Sequence, residues 1–221
     1  VRIATPSGAA DPALEDLVKR TIIALSLTLA AIAASRPAEA ADCRPAGYCP
    51  FIGCLGWYNW VADPSFTQGS ACWSTSGNVT IRNDGQMCVP TGYAQFGLAY
   101  PSASLSQVVH VAGKGEPGFD PGLDPEHFNL DYKLQLVDPQ DDGFGVVVTI
   151  ALYDAQTGAL LQWIATHTGA QGDRGCTPST LDFRNDKLVG RNVRIEVRAR
   201  NIYTNTIVRV TGLALWQLPR L

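Results

Sequence analysis

The chain has 221 residues, room for one domain or two small ones. With 46% hydrophobic and 17% charged residues, it is too apolar to be a disordered polymer. A net charge of −3 supplies no basic field, so nucleic acid is not an expected partner.

Residues 1–18 (VRIATPSGAADPALEDLV) show no apolar period, and Val18 is the expected start of the translated product. Lys19 and Arg20 then precede the 14 apolar or small residues TIIALSLTLAAIAA (21–34), and Ala38 and Ala40 supply A-x-A spacing. This pattern predicts a signal helix cleaved after Ala40, and hence a secreted or periplasmic product. A membrane anchor is the competing reading, but the apolar run is short of the roughly 20 residues that cross a bilayer. No membrane span is expected after cleavage. The predicted organisation is therefore 1–40 (upstream residues plus signal), 41–56 (a Cys-rich extension) and 57–221 (the folded domain).

Six cysteines follow the predicted cut: Cys43, Cys49, Cys54, Cys72, Cys88 and Cys176. An even number in an exported chain reads as up to three disulfides, and six cysteines allow 15 pairings among which the sequence does not choose. There is no C-x-x-C, and His110, His127 and His167 are scattered, so neither zinc nor another cofactor is expected. Residues 41–56 (ADCRPAGYCPFIGCLG) are too few for a core of their own.

From Trp57 onward the chain reads as strands and turns. Early candidates are NVTIR (78–82), YAQFGL (93–98) and SLSQVVHV (104–111). FNLDYKLQL (128–136) alternates strictly: Phe128, Leu130, Tyr132, Leu134 and Leu136 point one way, Asn129, Asp131, Lys133 and Gln135 the other. In GVVVTIALYD (145–154), Val146, Val148, Ile150 and Leu152 form the core set and Tyr153 alternates out of it. AQTG (155–158) predicts a hairpin turn into ALLQWIAT (159–166), where Trp163 shares alternation with Leu161 and Ala165 and is expected to pack. NVRIEVRAR (192–200) turns Val193, Ile195, Val197 and Ala199 inward and Arg194, Glu196, Arg198 and Arg200 outward. IVRVTGLALWQL (207–218) is the last strand. Loops are predicted at 82–85, 112–125, 138–143 and 169–175. No helical period follows the signal. Eight to ten strands with regular turn punctuation predict an all-β chain, an antiparallel β-sandwich or a barrel.

The stretch NWVADPSFTQGSACWSTSGNVTI (59–81) resembles the opening of galactose-binding-like jelly rolls, in the style of carbohydrate-binding modules of families four and nine. The matching positions are Asn59, Val61, Pro64, Ser65, Phe66, Gly69 and Trp73, with Gly77, Asn78 and Val79 after them. YAQFG, SLSQVVHV, FNLDYKLQL and the closing TGLALWQL follow in the order of that superfamily, so the resemblance spans about residues 57–218. It implies a jelly-roll sandwich and a glycan or cell-surface polysaccharide as partner. The family's calcium carboxylates correspond here to Thr67 and to Thr211 and Gly212, which speaks against a calcium site of that kind. By the same resemblance Trp73 is a packing residue.

Glycan binding needs flat rings and a few directed polar groups. The candidates are Asn129, Asp131, Lys133 and Gln135 on one strand, Tyr153 on a second, and Arg194 and Glu196 on a third, forming one platform if the three strands share a sheet face. A solvated face with cross-strand ion pairs would carry the same pattern. Trp57, Tyr58 and Trp60 cluster beside the Cys-rich segment, as a binding rim or as cover for the sandwich end. The sequence shows no G-x-S-x-G elbow, and Gln107 and His110 are spaced to face opposite ways, so no catalytic centre is expected. The alternatives are an adhesion or protein-interaction module without a sugar ligand and, further off, a polysaccharide-degrading enzyme built on paired carboxylates such as Asp131 and Glu196.

Overall fold

Alternating side chains become two stacked sheets because each strand has one face that must leave water and one that must not. The computed structural model describes residues 43–49, 55–85, 92–137, 145–169, 174–202 and 206–220. The predicted signal, the upstream residues, Cys54 and Cys88 lie outside these.

The strands are β1 (Gly47–Tyr48), β2 (Tyr58–Asn59), β3 (Ser74–Ser76), β4 (Val79–Arg82), β5 (Tyr93–Phe96) and β6 (Ala99–Val111). They continue with β7 (Leu123–Val137), β8 (Val147–Asp154), β9 (Leu160–Thr168), β10 (Arg174–Arg184), β11 (Arg191–Ile202) and β12 (Ile207–Pro219). A short 3-10 turn spans Asp186–Leu188. It is capped by the Asn185 side chain, which accepts from the Lys187 N–H.

Both sheets are antiparallel throughout. In the first sheet β7 lies between β10 and β12, and the far edge of β12 is shared by β5–β4 at one end and β2–β1 at the other. The second sheet runs β3-β6-β11-β8-β9. The chain is thus an antiparallel β-sandwich of the jelly-roll class. The Cys-rich segment joins it through β1, where Gly47 pairs with Asn59 and Tyr48 with Tyr58.

The core follows the period of two. Leu130, Leu134 and Leu136 of β7, Ile150 and Leu152 of β8 and Ile195 of β11 are all at 2% exposure or less. Full burial of each such side chain is worth roughly 1.5–3 kcal/mol. One polar tie crosses this core: the Tyr132 hydroxyl lies 2.8 Å from His167 Nε2. A second anchors the chain entering β3. The buried Gln107 side chain accepts from Ala62 N–H at 2.8 Å and donates to Ala62 C=O and Cys72 C=O, each at 2.9 Å. Next to it, Cys72 is joined to Cys43. Cys49 and Cys176 are also disulfide-bonded.

Several expectations change, beginning with the predicted loop 112–125: β7 starts inside it at Leu123, five residues before the predicted strand. No strand is predicted over 176–184, yet these residues form most of β10, which pairs with β7 from Arg184 opposite His127 to Arg174 opposite Leu136. Strand β6 starts at Ala99, five residues before the predicted strand. Trp163 is 47% exposed rather than packed. Its strand carries a bulge: Ala165 opposes Ile150 but Trp163 opposes Ala151, so Ile164 is an extra residue. One inserted residue reverses the phase of alternation, which turns Ile164 inward and Trp163 out. Trp73 is buried at 5% against Phe66, their centroids 4.9 Å apart, and Trp60 is buried at 4%.

Candidate ligand-binding face

The outward side chains of β7 (Asn129, Asp131, Lys133 and Gln135) stand on the outer face of the first sheet. Tyr153, Arg194 and Glu196 stand on the outer face of the second, because β8 and β11 belong to that sheet. The seven candidates are therefore two groups on opposite sides of the sandwich. The single shared platform is not formed.

On the first face a bulge in β12 arranges the centre. Thr211 opposes Lys133 while Ala214 opposes Asp131, so β12 holds one residue more than β7 between those pairs. Gly212 takes the left-handed φ of 65° that this kink needs. Before the bulge the even-numbered Val208 and Val210 point inward; after it Leu213 and Leu215 do, and Trp216 is turned outward.

Trp216 donates its indole N–H to Asp131 Oδ2 at 2.9 Å, and Thr180 of β10 donates its hydroxyl to Oδ1 at 2.7 Å. Both carboxylate oxygens thus hold donors from the flanking strands. Trp57 packs edge-on against Trp216, centroids 6.4 Å apart. Asn129 opposes Trp216 in the ladder and is buried at 5%, with its Oδ1 lacking a protein partner.

A cavity of about 410 Å³ opens here. Asn59, Asp131, Lys133, Thr180, Ala214 and Trp216 line it, with Tyr48, Pro64 and Ser65 completing the wall. Its size falls within the ~300–1,000 Å³ of small-molecule sites. Rings, a carboxylate, an ammonium and a hydroxyl converge on it.

Toward the β5 end, Gln135 joins a second polar row. Arg209 donates to Gln95 Oε1 at 3.1 Å and to Gln135 Oε1 at 3.2 Å, with its guanidinium 5.2 Å from the Tyr93 ring centroid. Burial raises the Tyr93 phenol, as does its bond to Asp84, against the lowering pull of Arg209. At the other end His127 Nε2 lies 2.8 and 3.0 Å from the two oxygens of Asp182. Beside the cavity, the Tyr48 hydroxyl bonds to Asp120, which together with burial pushes the phenol up to about 12 and, with the Gly122 N–H, pulls the Asp120 carboxyl down.

On the opposite face Glu196 is clamped by Arg198 at 2.7 Å and Arg194 at 3.4 Å, and Arg194 lies 5.1 Å over the Tyr153 ring. Among the described residues no cluster of three or more His, Cys, Asp or Glu is placed to hold a metal ion. No described helix is long and apolar enough to cross a membrane.

Sequence reasoning missed Trp216, Thr180 and Asn59 as site residues. Gly212 was the available signal for Trp216, since a glycine inside a strand pattern marks a bulge. Thr180 carried no comparable signal, because its strand has no clear alternation.

No protein-family profile matches the chain, and no curated protein matches it in sequence. Its fold neighbours among solved structures include several carbohydrate-binding modules. TmCBM61, solved with β-1,4-galactotriose, is 16% identical over 72% of this chain and 98% of its own, with a TM-score of 0.44. The CBM22-1 xylan-binding domain of Paenibacillus barcinonensis Xyn10C is 12% identical over 71% of this chain and 93% of its own, with a TM-score of 0.42. The enzymatically active domain of bacteriophage CBA120 tailspike protein 4 is 14% identical over 72% of this chain, with a TM-score of 0.48; the chain spans only 21% of that domain.

Proposed function

We propose that this protein is an exported, non-catalytic glycan-binding sandwich whose ligand lies in the groove between β7, β10, β12 and β2. The observation that carries this reading is Trp216, held at the groove by its bond to Asp131. A ring fixed in this way offers a flat apolar surface to a pyranose without paying the entropy of being ordered on binding. Lys133, Asn59 and Thr180 supply hydrogen-bonding groups around it. Asp131 is spent on two donors, which suits a carboxylate that positions neighbours rather than one that shuttles protons. The export reading draws support from Cys43, Cys49, Cys72 and Cys176, all in disulfides, a state favoured by oxidising compartments.

The test is affinity electrophoresis of the full chain in gels containing neutral polysaccharides such as galactan and xylan, alongside a broad glycan array. Wild type should be retained by at least one neutral glycan, and Trp216→Ala should lose that retention while keeping its β-sheet circular dichroism. A wild type that binds nothing across the array removes the glycan reading and leaves the protein-interaction module.

A further inference from the structure

The outer face of the second sheet carries a different chemistry from the groove. Among its described outward residues on β6, β11 and β8, three arginines (Arg194, Arg198, Arg200) stand against one carboxylate, Glu196. A chain with a net charge of −3 has thus set a line of positive charge along the central strand of this sheet. Glu196 is buried, its side chain 8% exposed, while Arg198 is 51% exposed. The carboxylate fixes Arg194 and Arg198 in place and neutralises one charge of the three. Arg198 and Arg200 are exposed, and with five N–H donors on each guanidinium most of theirs remain for a ligand.

Exposed apolar surface lies beside this line. Trp163 on β9 is 47% exposed, while its cross-strand neighbour Ala151 is covered at 2% exposure, so the open apolar surface here is the indole itself. Ala151 in turn opposes Glu196. Across neighbouring strands spaced about 4.8 Å apart, the exposed ring thus stands two strands from the arginine-flanked carboxylate, with the covered Ala151 between them. Tyr153, under Arg194, lies two residues along β8 from Ala151. Serines 104 and 106 on β6 oppose Arg198 and Glu196 on the far side, adding hydroxyls.

We propose that this face is a second binding site, independent of the groove, for an acidic polysaccharide bearing uronate carboxylates. Trp163 stacks on a sugar ring, and Arg198 and Arg200 take carboxylates through their planar N–H forks. Nucleic acid fits less well, because its affinity grows with the number of phosphates neutralised and only three arginines are present.

The experiment uses the full chain in affinity gels containing sodium polygalacturonate, neutral galactan or double-stranded DNA. Wild type should be retarded by polygalacturonate, less so as salt rises. Arg200→Gln and Trp163→Ala should each weaken that retardation about tenfold, the effect of losing one good contact. Trp216→Ala should leave it unchanged, which separates this site from the groove. Arg200→Gln guards against a folding artefact, since Arg200 is solvent-exposed at the sheet surface. No retardation of wild type, retardation indifferent to Trp163→Ala, or equal retardation by DNA would each overturn the proposal.

Discussion

Asp131 and Trp216 meet diagonally across the β7–β12 ladder, the carboxylate of one receiving the indole N–H of the other at 2.9 Å. Thr180 completes the arrangement from β10. The bond couples the two residues energetically. Asp131→Ala and Trp216→Phe should therefore be non-additive in urea unfolding, with a coupling of about 1 kcal/mol. A cycle that adds to within a few tenths of a kcal/mol would show that the pair does not hold the ring.

Gly212 makes this geometry accessible. At φ 65° an added Cβ would meet no neighbouring atom within 4 Å, so the cost of a side chain there is backbone strain alone. Gly212→Ala should destabilise by about 1–2 kcal/mol. If the strain is relieved by straightening the bulge, glycan retention should fall together with the thermal midpoint. An alanine variant as stable as wild type would contradict the left-handed assignment.

Gln107 bonds three backbone groups of a loop that has no strand to satisfy them. Gln107→Leu keeps the packing volume and strands those groups in a dry place, at about 3 kcal/mol. Chemical denaturation measures this. A loss below 1 kcal/mol, roughly the worth of one ordinary bond, would mean that the loop finds other partners.

Asp154 caps the β8–β9 turn. It accepts from the N–H groups of Gln156 at 2.9 Å and Thr157 at 2.8 Å, and from Arg191 at 2.8 Å. The Thr157 N–H first, and Arg191 next, hold its carboxyl down from 3.8 to about 2. A folded-state value below the unfolded one stabilises above the unfolded value. That stability is fully present above about pH 4 and is lost as pH falls through about 2. Asp154→Asn should flatten the acid limb of stability in that window in urea titrations at stepped pH. An acid limb unchanged from wild type would refute the assignment.

Much of the fold was legible in alternation. Leu130, Leu134, Val193 and Ile195 face the core as their period of two predicts, because a strand with one buried face can satisfy water on only one side. The β8–β9 turn was legible from AQTG. Strand β10 was not, since Thr177, Pro178, Ser179 and Thr180 carry no hydrophobic signal. They are held in line by pairing with β7, which is a long-range fact.

Local alternation suffices to make strands of this chain and to select the apolar faces of β7, β8 and β11, and its six cysteines suit an oxidising environment. Which strands share a sheet is a matter of long-range pairing, and that pairing parts Asp131 from Tyr153 and Glu196. It also decided where two bulges fall, and those bulges aim the tryptophans: one at Gly212 turns Trp216 into the groove, and one at Ile164 lifts Trp163 off the core. Both bulges have one cause. A period of two is strictly local, whereas a single extra residue reverses the face of everything after it, and whether that residue is absorbed is set by hydrogen bonding to the neighbouring strand.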